Sequence, residues 1–143
     1  MTTKSLRILI LCLLLFLGLS GLYGGYKLMT DPTGGSLKMP LQLIEETPFQ
    51  DYLIPGIILF SGIGILSIVI AILVLYKVKS YPIYIMGQGV VLIIWLTTEL
   101  LMNIEFLFPP LHIPYYITGI FLVILGWQFN LKAGSAGNGN RGK

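Results

Sequence analysis

The sequence predicts an all-α fold, a polytopic membrane protein built as an antiparallel bundle of four transmembrane helices. Three observations predict it. Of 143 residues, 55% are hydrophobic and only 10% are charged, against about 25% charged in an ordinary soluble domain. Mean hydropathy is +0.86. The apolar residues gather in four long runs, residues 6–29, 52–76, 81–104 and 115–131, with most charges at their ends. A chain this short cannot hide so much apolar surface from water, so lipid must solvate part of it. Backbone groups in lipid must pair within their own segment, which leaves helix as the conformation of each run. A β-barrel would need short alternating strands, and these runs do not alternate. One domain is expected over residues 1–131, followed by a Gly- and Asn-rich tail, 132–143, read as disordered and cytoplasmic.

The first run opens with Lys4 and Arg7 ahead of ILILCLLLFLG. That start also has the look of a signal peptide, with Gly18 and Ser20 as a small-residue cleavage site. The apolar run continues through Leu22, Tyr23, Tyr26 and Leu28, which favours a retained span. Residues 30–51 form the longest loop. DPTGG reads as a tight turn, and MPLQLIEETPF as a short amphipathic segment at the membrane interface. The second run begins YLIPG, with Pro55 in the permissive first turn of its helix. A short loop with Lys77 and Lys79 leads to the third run. The following loop, residues 105–114, holds three prolines and is expected to be stiff and non-helical. The fourth run, of about 17 residues, is at the lower limit for a span.

Charge sets the orientation. Lys4, Arg7, Lys77, Lys79, Lys132, Arg141 and Lys143 fall on one side; only Lys27 and Lys38 fall on the other. The acids Asp31, Glu45, Glu46, Asp51, Glu99 and Glu105 lie on or near that second side. The positive-inside rule then places both termini in the cytoplasm of a cell whose inner membrane holds the chain. The basic residues are too few and too scattered along span ends to suggest a nucleic-acid partner. Cys12 is the sole cysteine, which excludes an intramolecular disulfide and a dithiol mechanism.

Glu99 is the side chain of most interest, because an acid within a span is costly and marks a functional-site candidate. Asn103 follows one turn later, and Lys27 lies at a similar depth in the first span, so a Lys27–Glu99 ion pair is expected. Tyr23 and Tyr26 complete this ligand-binding or ion-pair group. Gln88 and Gln128, at similar depth in neighbouring antiparallel spans, are expected to bond one another. His112, in the proline-rich loop, reads as a solvated or capping histidine. No metal set, phosphate loop or catalytic spacing is evident, and neither cofactor nor metal is expected. Small residues (Ser20, Gly21, Gly24, Gly25, Gly56, Ser61, Gly62, Gly64, Gly87, Gly89) mark faces where helices can approach closely. Tyrosines near the span ends, with Trp127, read as an interfacial belt.

The stretch GLYGGYKLMTDPTGGSLKMPLQLIEETPFQDYLIPGIIL resembles a signature of small bacterial four-helix membrane proteins. The resemblance rests on Asp31, Pro32, Thr33, Gly34, Thr47, Pro48, Phe49, Asp51, Leu53, Ile54, Pro55 and Gly56. The group is similar in plan to DoxX-like proteins, which implies a four-span bundle and a link to quinol-linked respiratory complexes or membrane redox stress. This chain lacks a cofactor ligand set of its own. The leading expectation is therefore a non-enzymatic accessory or interaction subunit that engages lipid and another membrane protein or a second copy of itself. The alternative is a binder or transporter of a small hydrophobic ligand, lipid or quinone-like, anchored by Glu99.

Overall fold

A computed structural model describes residues 3–45, 47–106 and 109–139. Glu46, Arg141 and Lys143 of the charge pattern lie outside the described residues. Four helices are long and apolar enough to cross a membrane. They are α1 (Thr3–Thr30), α2 (Leu53–Leu75), α3 (Tyr81–Met102) and α4 (Pro109–Gly139). The shortest, α3, has 22 residues, about 33 Å at 1.5 Å per residue, enough to cross a hydrocarbon core of about 30 Å. No strand occurs among the described residues.

Each helix buries a narrow stripe and leaves the rest apolar and exposed, as a lipid-solvated helix does. Ile10, Leu14 and Leu17 form the stripe of α1; Ile85, Leu92 and Leu96 that of α3; Leu122, Leu125 and Phe129 that of α4. The Ser20, Ser61 and Thr98 hydroxyls bond within their own helix, while Thr97 meets the Tyr116 hydroxyl of the neighbouring span at 3.0 Å. Ser20 donates to the Phe16 carbonyl at 2.6 Å, Ser61 to Ile57 at 2.7 Å and Thr98 to Ile94 at 2.7 Å.

Glycine pairs the helices into two hairpins. A Cβ at Gly21 would lie 2.7 Å from the Gly64 backbone nitrogen, and one at Gly25 would lie 2.6 Å from that of Phe60. A Cβ at Gly89 would lie 2.6 Å from the Gly119 carbonyl, and one at Gly126 would lie 2.8 Å from that of Pro82. α1 therefore meets α2, and α3 meets α4, backbone to backbone. Gly62 and Gly87 face open space and belong to neither seam. The hairpins join through the Gln88 hydrogen bonds described below and through a Phe16–Tyr115 ring stack with centroids 5.3 Å apart.

Two elements depart from expectation. The middle of α2, Leu59–Ile65, is π-helical, so one stretch of the ladder bonds i to i+5. And α4 begins at Pro109, inside the loop expected to be non-helical. Pro109 and Pro110 occupy its first turn, where no intrahelical N–H is needed and the proline φ suits the helix. Pro114 lies inside the helix and forgoes one ladder bond; its own carbonyl accepts the Thr118 hydroxyl at 2.8 Å. The backbone stays helical to Gly139, past Leu131, where the sequence places the start of the tail. Lys4, Arg7, Lys77, Lys79 and Lys132 lie at one end of the bundle, here the basic end. Residues 31–45 and 47–52 fold over the other, the cap end.

Candidate functional site

The cap is a folded unit with its own turn chemistry. In the DPTG turn the Asp31 carboxylate accepts the Thr33 hydroxyl, and both the backbone N–H and the hydroxyl of Ser36 at 3.0 Å. These hydrogen bonds hold Asp31 below the ordinary aspartate range. Gly34 adopts φ 80°, open to glycine at little cost, and a side chain there would run into the Met39 carbonyl and the Tyr52 ring. Its carbonyl accepts the Met39 N–H at 2.8 Å, which turns the chain back.

Tyr52 pins the cap to the bundle. Its N–H bonds the Pro32 carbonyl at 2.9 Å and its hydroxyl donates to the Pro40 carbonyl at 2.7 Å. The residue is 1% exposed, and burial raises its phenol pKa. Around it Leu28 and Ile44 are buried, with Leu37, Met39, Phe49 and Leu59 packed alongside. Asp51 accepts the Leu53 N–H at 2.9 Å at the start of α2, two residues before Pro55. Gly56 lets that first turn approach α1, since a Cβ there would sit 2.8 Å from Leu28 Cβ.

Glu99 lies beneath this cap, on α3. Its carboxylate meets His112 Nε2 of α4 at 3.4 Å, and the histidine side chain is 4% exposed. A cavity of about 30 Å³ opens beside the carboxylate, walled by Phe49, Tyr52, Trp95, Met39 and Met102 among others. Trp95, one turn earlier on α3, borders the same cavity as the carboxylate. No group of three His, Cys, Asp or Glu within metal-holding reach occurs among the described residues. Asn103 closes the arrangement. Its side-chain amide donates to the Leu43 carbonyl at 3.0 Å and its oxygen accepts the Glu105 N–H at 2.9 Å, tying the cap to the end of α3.

The structure thus brings Glu99, Asn103, Pro55 and the Asp31–Gly34 turn to one end but rearranges the other expected residues. Lys27 does not meet Glu99; its ammonium lies 5.6 Å from the Tyr23 ring centroid. Tyr23 and Tyr26 are 61% and 56% exposed and point away from the bundle. One helical step separates Lys27 from the buried Leu28, enough to turn it off the interior face. Gln88 and Gln128 do not meet either. Gln88 is buried and donates to the Gly62 carbonyl at 3.1 Å and the Ser67 hydroxyl at 2.7 Å, while Gln128 is exposed. The carbonyl that attracts Gln88 lies in the π-helical stretch, which carries no signal in sequence. His112, read from sequence as a solvated or capping histidine, is instead buried on α4 against Glu99; sequence reasoning also passed over Trp95 and took Tyr52 for a belt residue rather than the anchor of the cap. Reading Pro109 and Pro110 as a helix start would have placed His112 on a span, opposite Glu99 in the antiparallel neighbour. Among protein-family models, curated proteins and solved structures, nothing matches this chain.

Proposed function

We propose that the protein is a non-enzymatic accessory subunit of a bacterial inner membrane that presents its cap, on the outer side, to another membrane protein. The observation that carries this reading is the cap itself. It is hydrogen-bonded at Asp31, Gly34, Tyr52 and Asn103 and has its own small core, so it offers a fixed surface. Fixed surfaces bind with less loss of entropy than mobile loops. The basic end supports an orientation with both termini in the cytoplasm. A DoxX-like relationship, which rests on the motif of residues 31–56, is compatible with such a role.

The alternative in which a whole lipid or quinone-like molecule is enclosed beside Glu99 has less support. The cavity beside Glu99 measures about 30 Å³, and small-molecule pockets begin near roughly 300 Å³. The reading is tested by placing a photo-crosslinking residue at Gln42, exposed on the cap, and a control at Leu75, exposed on the lipid face. Irradiation of native membranes should give one discrete protein adduct from Gln42 and lipid adducts from Leu75. Lipid adducts alone at both positions would overturn it.

A further inference from the structure

The cavity under the cap has an unusual wall for an apolar bundle. Three aromatic side chains (Phe49, Tyr52 and Trp95) and one carboxylate (Glu99) border a space of about 30 Å³. A water molecule needs roughly 10–15 Å³ of such space, so the cavity holds one or two small atoms' worth of ligand. The carboxylate sets the sign of that ligand, because a carboxylate oxygen in the wall of an otherwise apolar cavity favours a cation or a donor over an anion. The rings narrow its kind. Aromatic faces attract cations, and ammonium groups are the cations such cages recognise. Calcium and magnesium need six or more oxygen ligands, and one carboxylate does not supply them. Depth narrows the source. Glu99 lies three residues before the end of α3 at Met102, about 4.5 Å along the axis, near the level of lipid headgroups.

We infer that this cavity is a binding site for a single primary ammonium group, caged by Phe49, Tyr52 and Trp95 and neutralised by Glu99. The shared chemistry has two sources, a free small amine or the ethanolamine headgroup of a membrane lipid. His112, which is not among the cavity's lining residues, meets the carboxylate at 3.4 Å and positions it. The site is independent of whether a partner docks on the cap.

Trp95 makes the test direct. Changing the exposed Trp127 to Phe leaves Trp95 as the only tryptophan of two. Its fluorescence is followed in an amine-free detergent buffer while methylammonium chloride is titrated against sodium chloride at equal ionic strength. A saturable change with methylammonium alone is expected, weakened at least tenfold by Glu99→Gln and by Phe49→Leu. Phe49→Leu keeps the test decisive if Glu99→Gln fails to fold, as judged by circular dichroism. Tetramethylammonium, too bulky for the cavity, should give no saturable change. In nanodiscs of phosphatidylethanolamine the methylammonium response should disappear because the lipid fills the site; its persistence there, relative to phosphatidylglycerol, assigns the site to a free amine. An equal response to sodium chloride, or a response undiminished in both variants, overturns the proposal.

Discussion

Tyr52 does the work of several residues at once, because its backbone and its hydroxyl each hold a different part of the cap. Tyr52→Phe removes only the hydroxyl bond and should cost about 1 kcal/mol, read as a lower denaturation midpoint in detergent, with protease nicks concentrated in residues 31–52. Asp31 adds a pH dependence. Its pKa is lowered from 3.8 by the hydroxyls of Thr33 and Ser36. The ionised carboxylate therefore stabilises the turn above that value, and the contribution is lost as pH falls toward the lower folded pKa. Nicking of the cap by an acid-active protease should rise across that acid window. Asp31→Asn should be nicked more at neutral pH and lose this component of the acid dependence. At this scale the sequence shows the importance of Glu99 but not its partner. An acid in an apolar run is conspicuous by type alone, whereas His112 becomes visible only once the helix start is known.

The elements were legible where hydropathy alone decides and obscure where a face or a register decides. All four spans are readable to within a few residues except at α4, whose end runs on to Gly139 and whose start lies where prolines that open a helix look like prolines that forbid one. Glycine shows the same limit. Composition marks Gly21, Gly64 and Gly89, but also Gly62 and Gly87, where an added Cβ would meet nothing within 4 Å. It passes over Gly119 and Gly126, which seal the second hairpin. The contrast is measurable. Gly21→Val should destabilise by about 1–3 kcal/mol, since the Gly64 backbone cannot retreat without separating two helices. Gly87→Ala should be neutral or stabilising by up to about 1 kcal/mol, because it removes a flexible residue from a helix and meets no neighbour. Thermal unfolding of the two variants in the same detergent compares them directly.

For the whole molecule, the division into a basic end and a capped end follows from the charge pattern, and the antiparallel order of the helices enforces it. The proposed orientation makes a simple prediction. In a Cys12→Ser background, Ser36→Cys should react with a membrane-impermeant thiol reagent in intact cells. Lys79→Cys should react only after the membrane is opened, and the reverse pattern would invert the topology. What sequence could not convey is that the cap is a small folded layer, because its core draws on Leu28, Ile44 and Tyr52, residues far apart along the chain.

The π-helical stretch Leu59–Ile65 bears on how the two ends are aligned. Each residue added to or taken from an α-helical ladder turns whatever follows by about 100°. A single deletion within that stretch could be absorbed as ordinary α-helix, leaving the span long enough to cross. It would leave Tyr52 and the layer fastened to it facing Glu99, whereas the same deletion in the α-helical turn at Leu53–Ile58 would swing them away while Ser67 and Gln88 below stayed in place. The second span thus holds one residue of slack between the cap and Ser67, and chain length is controlled more tightly in the α-helical turn above it than in the π-helical stretch itself.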